Sequence, residues 1–198
     1  MKVKVSDYIV EFLISKGIKH AFGYPGGMIT HVMDSFGKYK KNISAHCCYH
    51  EQGAAFAACG YAQTSEKPGV VYATSGPGVT NLITGIANAY FDSIPFLAIV
   101  GQVNTYEQKE NLKVRQKGFQ EMEVCGIVKP ITKYSKMIVN AVDIPYELNK
   151  AYEIAMDGRK GPVVLDIPMN IQREEIEISE EPIYSIKQNQ CSKLNNNS

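Results

Sequence analysis

The stretch Val70-Val71-Tyr72-Ala73-Thr74-Ser75-Gly76-Pro77-Gly78-Val79-Thr80-Asn81 decides how the chain is read. Its first four residues form an unbroken apolar run, the pattern of a strand covered on both faces. Thr74 to Gly78 then predict a tight turn, and a helix follows to about Ala89. The same unit recurs on both sides. Residues 19–23 run into Tyr24-Pro25-Gly26-Gly27 and a helix from Met28 to about Phe36, and residues 43–48 run into a helix over 51–64. Phe96 to Val100, residues 134–139 and residues 162–167 are further strand candidates. Ile144, Leu148, Ala151 and Ala155 share one helical face. At the front, Ser6 precedes Ile9, Phe12 and Leu13, and Gly17 follows, as in a capped amphipathic helix. Strands alternating with helices predict an α/β fold, a single doubly wound domain with a mainly parallel sheet covered by helices on both faces.

Residues 1–172 carry this pattern. In 173–198 five glutamates crowd between Glu174 and Glu181 and the chain ends in Asn195-Asn196-Asn197-Ser198, so this stretch is expected to be a linker or tail. The 198 residues suffice for one substantial domain, and a net charge of +1 gives no bulk attraction to nucleic acid or anionic membranes. No apolar run approaches the ~18 residues of a membrane span, and the N-terminus lacks the apolar stretch of a signal peptide. A cytoplasmic location is therefore expected. Cys47, Cys48, Cys59, Cys125 and Cys191 are odd in number and form no C-x-x-C pair, which predicts reduced thiols, mostly buried, and no metal site.

Glu51 is the ionisable group of most interest. It opens a helix rich in small residues (Gly53, Ala54, Ala55, Ala57, Ala58, Gly60), a texture that suits the centre of a domain or a subunit interface. Poor solvation there would raise the carboxyl pKa and let it exchange a proton with a ligand nitrogen. A carboxylate that merely caps the helix is the alternative at this point. The 74–81 turn reads G-x-G-x-x-N. It lacks the third glycine of a dinucleotide fingerprint and the lysine of a Walker loop, and Ser75 is not in a nucleophile elbow. Residues 102–118 are polar, with Lys109, Lys113, Arg115 and Lys117, and read as an exposed loop or short helix. This basic stretch is a solvated face or a contact for an anionic substrate or partner domain.

Taken in order, Phe22 to Gly27, His50 to Ala55, Gly60 to Ala62, Ala73 to Gly78, Asp92 to Pro95, Gly101 to Val103, Phe119 to Glu121 and Val163 to Pro168 resemble the N-terminal domain of acetolactate synthase-like thiamine-diphosphate enzymes. The resemblance implies that Glu51 is catalytic and shares a proton with N1′ of the cofactor's aminopyrimidine, which in turn promotes loss of the C2 proton. It implies that Tyr24, Pro25, Gly26, Thr74, Pro77 and Asn81 bind the cofactor with Glu51. It places Phe119 and Gln120 on the substrate side, with Gln120 also catalytic. The implied substrate is pyruvate or another 2-oxo acid, and the implied activity is that of a carboligase or decarboxylase. The resemblance assigns only the pyrimidine end of the cofactor to this domain. The family's Mg²⁺ and diphosphate site has no match here, so a diphosphate-binding domain of the same or a neighbouring chain is the expected partner, homo-oligomers are expected, and the domain alone is expected to be inactive. FAD binding is left open, as is the choice between a fragment and a split-enzyme subunit. The stretch from Gly101 to Phe119 is longer and more basic than in acetolactate synthases, which bears on the substrate. The competing reading is a non-catalytic binding or regulatory module that has retained the fold.

Overall fold

A computed structural model describes residues 2–178. The chain forms β1 (Lys2–Lys4), α1 (Val5–Ser15), β2 (His20–Gly23), a 3₁₀ turn (Gly27–Ile29), α2 (Thr30–Lys38), β3 (Ser44–Cys47), α3 (Glu51–Ser65), β4 (Gly69–Ala73) and α4 (Pro77–Phe91). It continues through β5 (Phe96–Gln102), α5 (Val124–Val128), β6 (Tyr134–Met137), α6 (Ile144–Met156), β7 (Pro162–Pro168), α7 (Met169–Arg173) and β8 (Glu175–Glu177). Six strands make one all-parallel sheet in the order β3-β2-β4-β5-β7-β6. The doubly wound α/β expectation holds.

Alternation along the central strands builds two cores. Val70, Tyr72, Leu97, Ile99, Val163 and Leu165 face α1, α2 and α6, while Val71, Ala73, Ala98, Val100 and Val164 face α3, α4 and α5. Because β4, β5 and β7 are buried throughout, these strands read as continuous apolar runs rather than as alternating ones. The small residues of α3 are split between two environments. Ala54, Ala55, Ala58, Cys59 and Ala62 are buried inside the domain, whereas Gly53, Phe56 and Gly60 are exposed. Parallel strands bring every strand C-terminus to one edge of the sheet, where ligand crevices of open α/β sheets form.

Three expectations are corrected. Ser6 does not cap α1: it is buried within the helix and accepts a hydrogen bond from the Ser35 hydroxyl at 2.9 Å. The cysteines are not mostly buried. Cys59 is buried, but Cys48 and Cys125 are half-buried and Cys47, on the edge strand, is exposed; all four are free thiols. Residues at the start of the expected tail belong to the domain, since β8 pairs antiparallel with β1 and Ile176 is buried opposite Val3. Cys191 and the rest of the expected tail lie outside the described residues.

Candidate active site

Three turns at the strand C-terminal edge converge on Glu51. β3 ends at Cys47, and His50 caps α3: its Nδ1 accepts a hydrogen bond from the Gln52 amide at 3.1 Å. The capping role considered for Glu51 thus belongs to its neighbour. Glu51, the first helical residue, is 8% exposed. Its Oε2 accepts from Asn81 Nδ2 at 2.9 Å. Its Oε1 faces Gly78, where a Cβ would sit 3.4 Å away, and no donor among the described residues reaches it. The arrangement is a carboxyl oriented through one oxygen, with the other turned toward the Gly78 turn.

Thr74 links two of the turns. Its Oγ1 accepts from the Met28 amide at 3.1 Å, and its methyl group lies against both Gly26 and Gly78. Past it, Gly76 adopts φ +63, which admits glycine far more readily than a residue with a side chain, and its Cα rests on Gln120. Gln120 itself has φ +60 and is half-buried. The β2 turn is held from the other side. Gln172 in α7 donates from Nε2 to Met28 O and to Ile167 O, both at 2.7 Å. Gly101 packs so closely that a Cβ there would fall 2.0 Å from Met28 O.

Residues 3–127 match the family of the thiamine pyrophosphate enzyme, N-terminal TPP binding domain. The chain belongs to this family. It is 43% identical over 167 residues to the acetolactate synthase isozyme 2 large subunit of Escherichia coli K12, an alignment covering 84% of this chain and 29% of that protein. It is 41% identical over 181 residues to the probable acetolactate synthase large subunit of Methanocaldococcus jannaschii and to the acetolactate synthase large subunit of Lactococcus lactis, covering 91% of this chain and 29% and 30% of those proteins. The chain therefore spans under a third of the length of these curated relatives.

Within this TPP-binding domain the residues singled out from sequence separate into two groups. Glu51, Asn81, Thr74 and Gly26 form one connected cluster, with Gln120 joined to it through Gly76. Tyr24, Pro25 and Pro77 stand exposed at the rims of their turns, and Phe119 is 72% exposed. Gln172, lying on the last residue assigned to the domain, was not singled out, and a lone glutamine after a strand carries no motif.

A second polar network, also missed, lies at the β5 and β7 ends. Gln102 Nε2 donates to Asp166 Oδ2 at 3.0 Å and to Met122 O at 2.7 Å, while Gln102 Oε1 accepts from the Val103 amide at 3.0 Å. Asp166 is 1% exposed and its Oδ1 has no partner among the described residues. Burial pushes this carboxyl up to about 8; the Gln102 hydrogen bond pulls it down less than burial raises it, and Glu123 adds a like charge. An acid with a folded pKa above its unfolded 3.8 keeps its proton longer in the fold than in the unfolded chain. Its stabilising contribution is complete below that value and is lost as pH rises toward 8. Asp166→Asn mimics the protonated acid, so its melting temperature is expected to exceed wild type by a wide margin at pH 8 and by little at pH 4. Circular-dichroism melts at the two pH values check this, and parallel pH profiles would contradict it.

Proposed function

We propose that this chain is the pyrimidine-binding part of a thiamine-diphosphate-dependent carboligase or decarboxylase acting on pyruvate or another 2-oxo acid. The observation that carries the reading is the Glu51 carboxyl, fixed through Oε2 by Asn81 and, among the described residues, unpartnered at Oε1 beside Gly78. A buried acid with one free oxygen, next to a turn that carries no Cβ, suits the edge of a flat heteroaromatic ring. When bound, thiamine diphosphate supplies an electron sink for decarboxylation of the 2-oxo acid. Glu51 would hold or return a proton at the pyrimidine N1′. Asn81 would orient that carboxyl, Thr74 would fix the spacing of the two turns, and Tyr24, Pro25, Gly26 and Pro77 would border the ring. Phe119 and Gln120 would face the substrate, with Gln120 held at Gly76.

Mg²⁺ and the cofactor's diphosphate would be bound by another domain of the same or a neighbouring chain. The exposed face of α3, with Phe56 flanked by Gly53 and Gly60, offers that domain a flat apolar surface beside Glu51. The test is calorimetric titration of thiamine diphosphate with Mg²⁺. It is run on this chain alone and on this chain joined to the remaining two thirds of an acetolactate synthase large subunit. Weak binding alone, tight binding once joined, and pyruvate consumption are expected. A correctly assembled protein that binds no cofactor would overturn the proposal, and one that binds cofactor without turnover would support a non-catalytic module instead.

A further inference from the structure

Between β5 and α5 the chain takes a long excursion that borders a cavity of about 330 Å³, lined by Gln102, Met122, Met137, Lys109 and Arg115 among others. One lining residue, Glu121, directly follows the Gln120 that packs on Gly76, while none of the Glu51 cluster lines the cavity.

The excursion is built, not slack. Asn104 and Glu107 form a reciprocal cap around a 3₁₀ turn at Thr105–Glu107. Thr105 is tied twice to Asn170 after β7, at 2.9 and 3.0 Å. Glu121 closes the far end. Its carboxylate accepts from the amides of Lys109 at 2.7 Å, Lys117 at 2.8 Å and Gly118 at 3.4 Å. Burial alone would raise the Glu121 pKa, but these amides more than offset it and hold the group below the usual carboxylate range.

The polar groups around the cavity are spent unequally. Both Glu121 oxygens are turned to backbone amides, and both Glu123 oxygens accept from the Gly126 amide. Lys109 Nζ makes one hydrogen bond, to Arg115 O at 3.3 Å, and neither Lys109 nor Arg115 forms a salt bridge among the described residues. Of the lining acids, Glu121 and Glu123 are thus occupied by amides, while Lys109, Arg115 and the exposed Glu110 form no salt bridge among the described residues. Beside them sit two methionines, flexible apolar side chains that fit irregular aliphatic shapes.

The geometry points to a binding site for a small organic dianion, a dicarboxylate-like molecule, held by Lys109 and Arg115 with its carbon chain against Met122 and Met137. As a claim about substrate class it rests on the 2-oxo acid reading: the enzyme's substrate would carry a second acidic group that reaches this cavity. As a claim about binding it stands alone, because the loop and both bases lie within this chain. The exposed Glu110, in the left-handed region at φ 44, opposes an anion and sets the sign of one test.

The experiment uses the full 198-residue chain without cofactor and with ¹³C-labelled methionine methyl groups. Succinate, butyrate and succinamide share a four-carbon skeleton and carry two, one and no charges. Succinate is expected to shift the Met122 and Met137 methyl signals saturably, butyrate more weakly, and succinamide not at all. Arg115→Gln and Lys109→Met each weaken succinate binding about tenfold or more, the loss expected for one charge-assisted contact. Glu110→Gln tightens it, and Glu51→Gln leaves it unchanged. Arg115 is exposed and Glu121 grips only the Lys109 amide, so both variants keep the fold, checked by their remaining methyl signals. No saturable response to succinate, or an equal response to sulfate, would overturn the proposal whatever the Glu51 site does. Succinate binding with no thiamine-diphosphate binding in the joined protein would leave this site standing and remove the reading of its neighbour.

Discussion

Glu51→Gln is expected to lower turnover of the assembled enzyme by about 10²- to 10⁴-fold, the range for loss of a positioned acid or base. The amide has the shape of the carboxyl and can still accept from Asn81 Nδ2, so the head of α3 and the Asn81 contact should survive. What the amide cannot supply is the proposed proton exchange at the oxygen that faces Gly78. The discriminating measurement is hydrogen–deuterium exchange at C2 of bound thiamine diphosphate, followed by proton NMR after acid quench. Exchange and turnover should fall together while the dissociation constant of the cofactor moves far less. Asn81→Leu removes only the donor that orients the carboxyl, so it should show a smaller fall in the same two readouts. Glu51→Gln exchanging at the wild-type rate would remove the proposed role outright.

The fold was legible because its central strands are buried on both faces and its turns carry glycine and proline at the strand ends. Val70 to Ala73 and Phe96 to Val100 announce themselves by unbroken apolar character, and the corresponding β4 and β5 are the middle of the sheet. The elements missed are short or edge-bound. β1 and β8 are three residues each and pair only with one another, and α5 spans five, too few for a period to show. The site was legible in part for a similar reason. Glu51, Thr74 and Gly26 lie in local strand–turn–helix units, where sequence spacing tracks position. Gln172 reaches Met28 across 144 residues, and Asp166 reaches Gln102 across 64. Such pairs exist only once the parallel sheet brings its strand ends together, so nothing local marks them. The basic loop was legible in composition and not in consequence. Its lysines and arginine suggested a solvated face or an anion contact, and only the turn of Glu121 into three backbone amides shows which acids are already occupied.

Gly101→Ala is expected to be the most damaging single methyl group added to this domain. Gly101 lies in β5, paired in register with Ile167 of β7, so its backbone is fixed by the ladder. The new Cβ would fall 2.0 Å from Met28 O and 2.8 Å from Ile29 N, both backbone atoms with no rotamer to change. Met28 O cannot swing aside freely, because Gln172 Nε2 holds it at 2.7 Å and is itself bound to Ile167 O. Ile29, the next residue, is fully buried in the core against α2. Overpacking against side chains costs roughly 1–3 kcal/mol, and an immovable backbone contact belongs at or above the top of that range. A loss of about 3 kcal/mol corresponds to a melting-temperature drop of about 6–12 °C for a domain of this size. Gly60→Ala provides the opposite sign: it lies mid-helix in α3 with no atom within 4 Å of its Cβ position, so it should stabilise the chain by about 0.5–1 kcal/mol. The functional consequence follows from the same contact. Pushing Met28 away from β5 pulls its amide from Thr74 Oγ1 and shifts Gly26 relative to Thr74, so thiamine-diphosphate affinity in the joined protein should fall along with stability. Thermal melts show the first effect and calorimetry well below the melting temperature shows the second. A Gly101→Ala protein that melts within a degree of wild type and binds cofactor normally would mean that the turn is not pinned between β5 and Gln172.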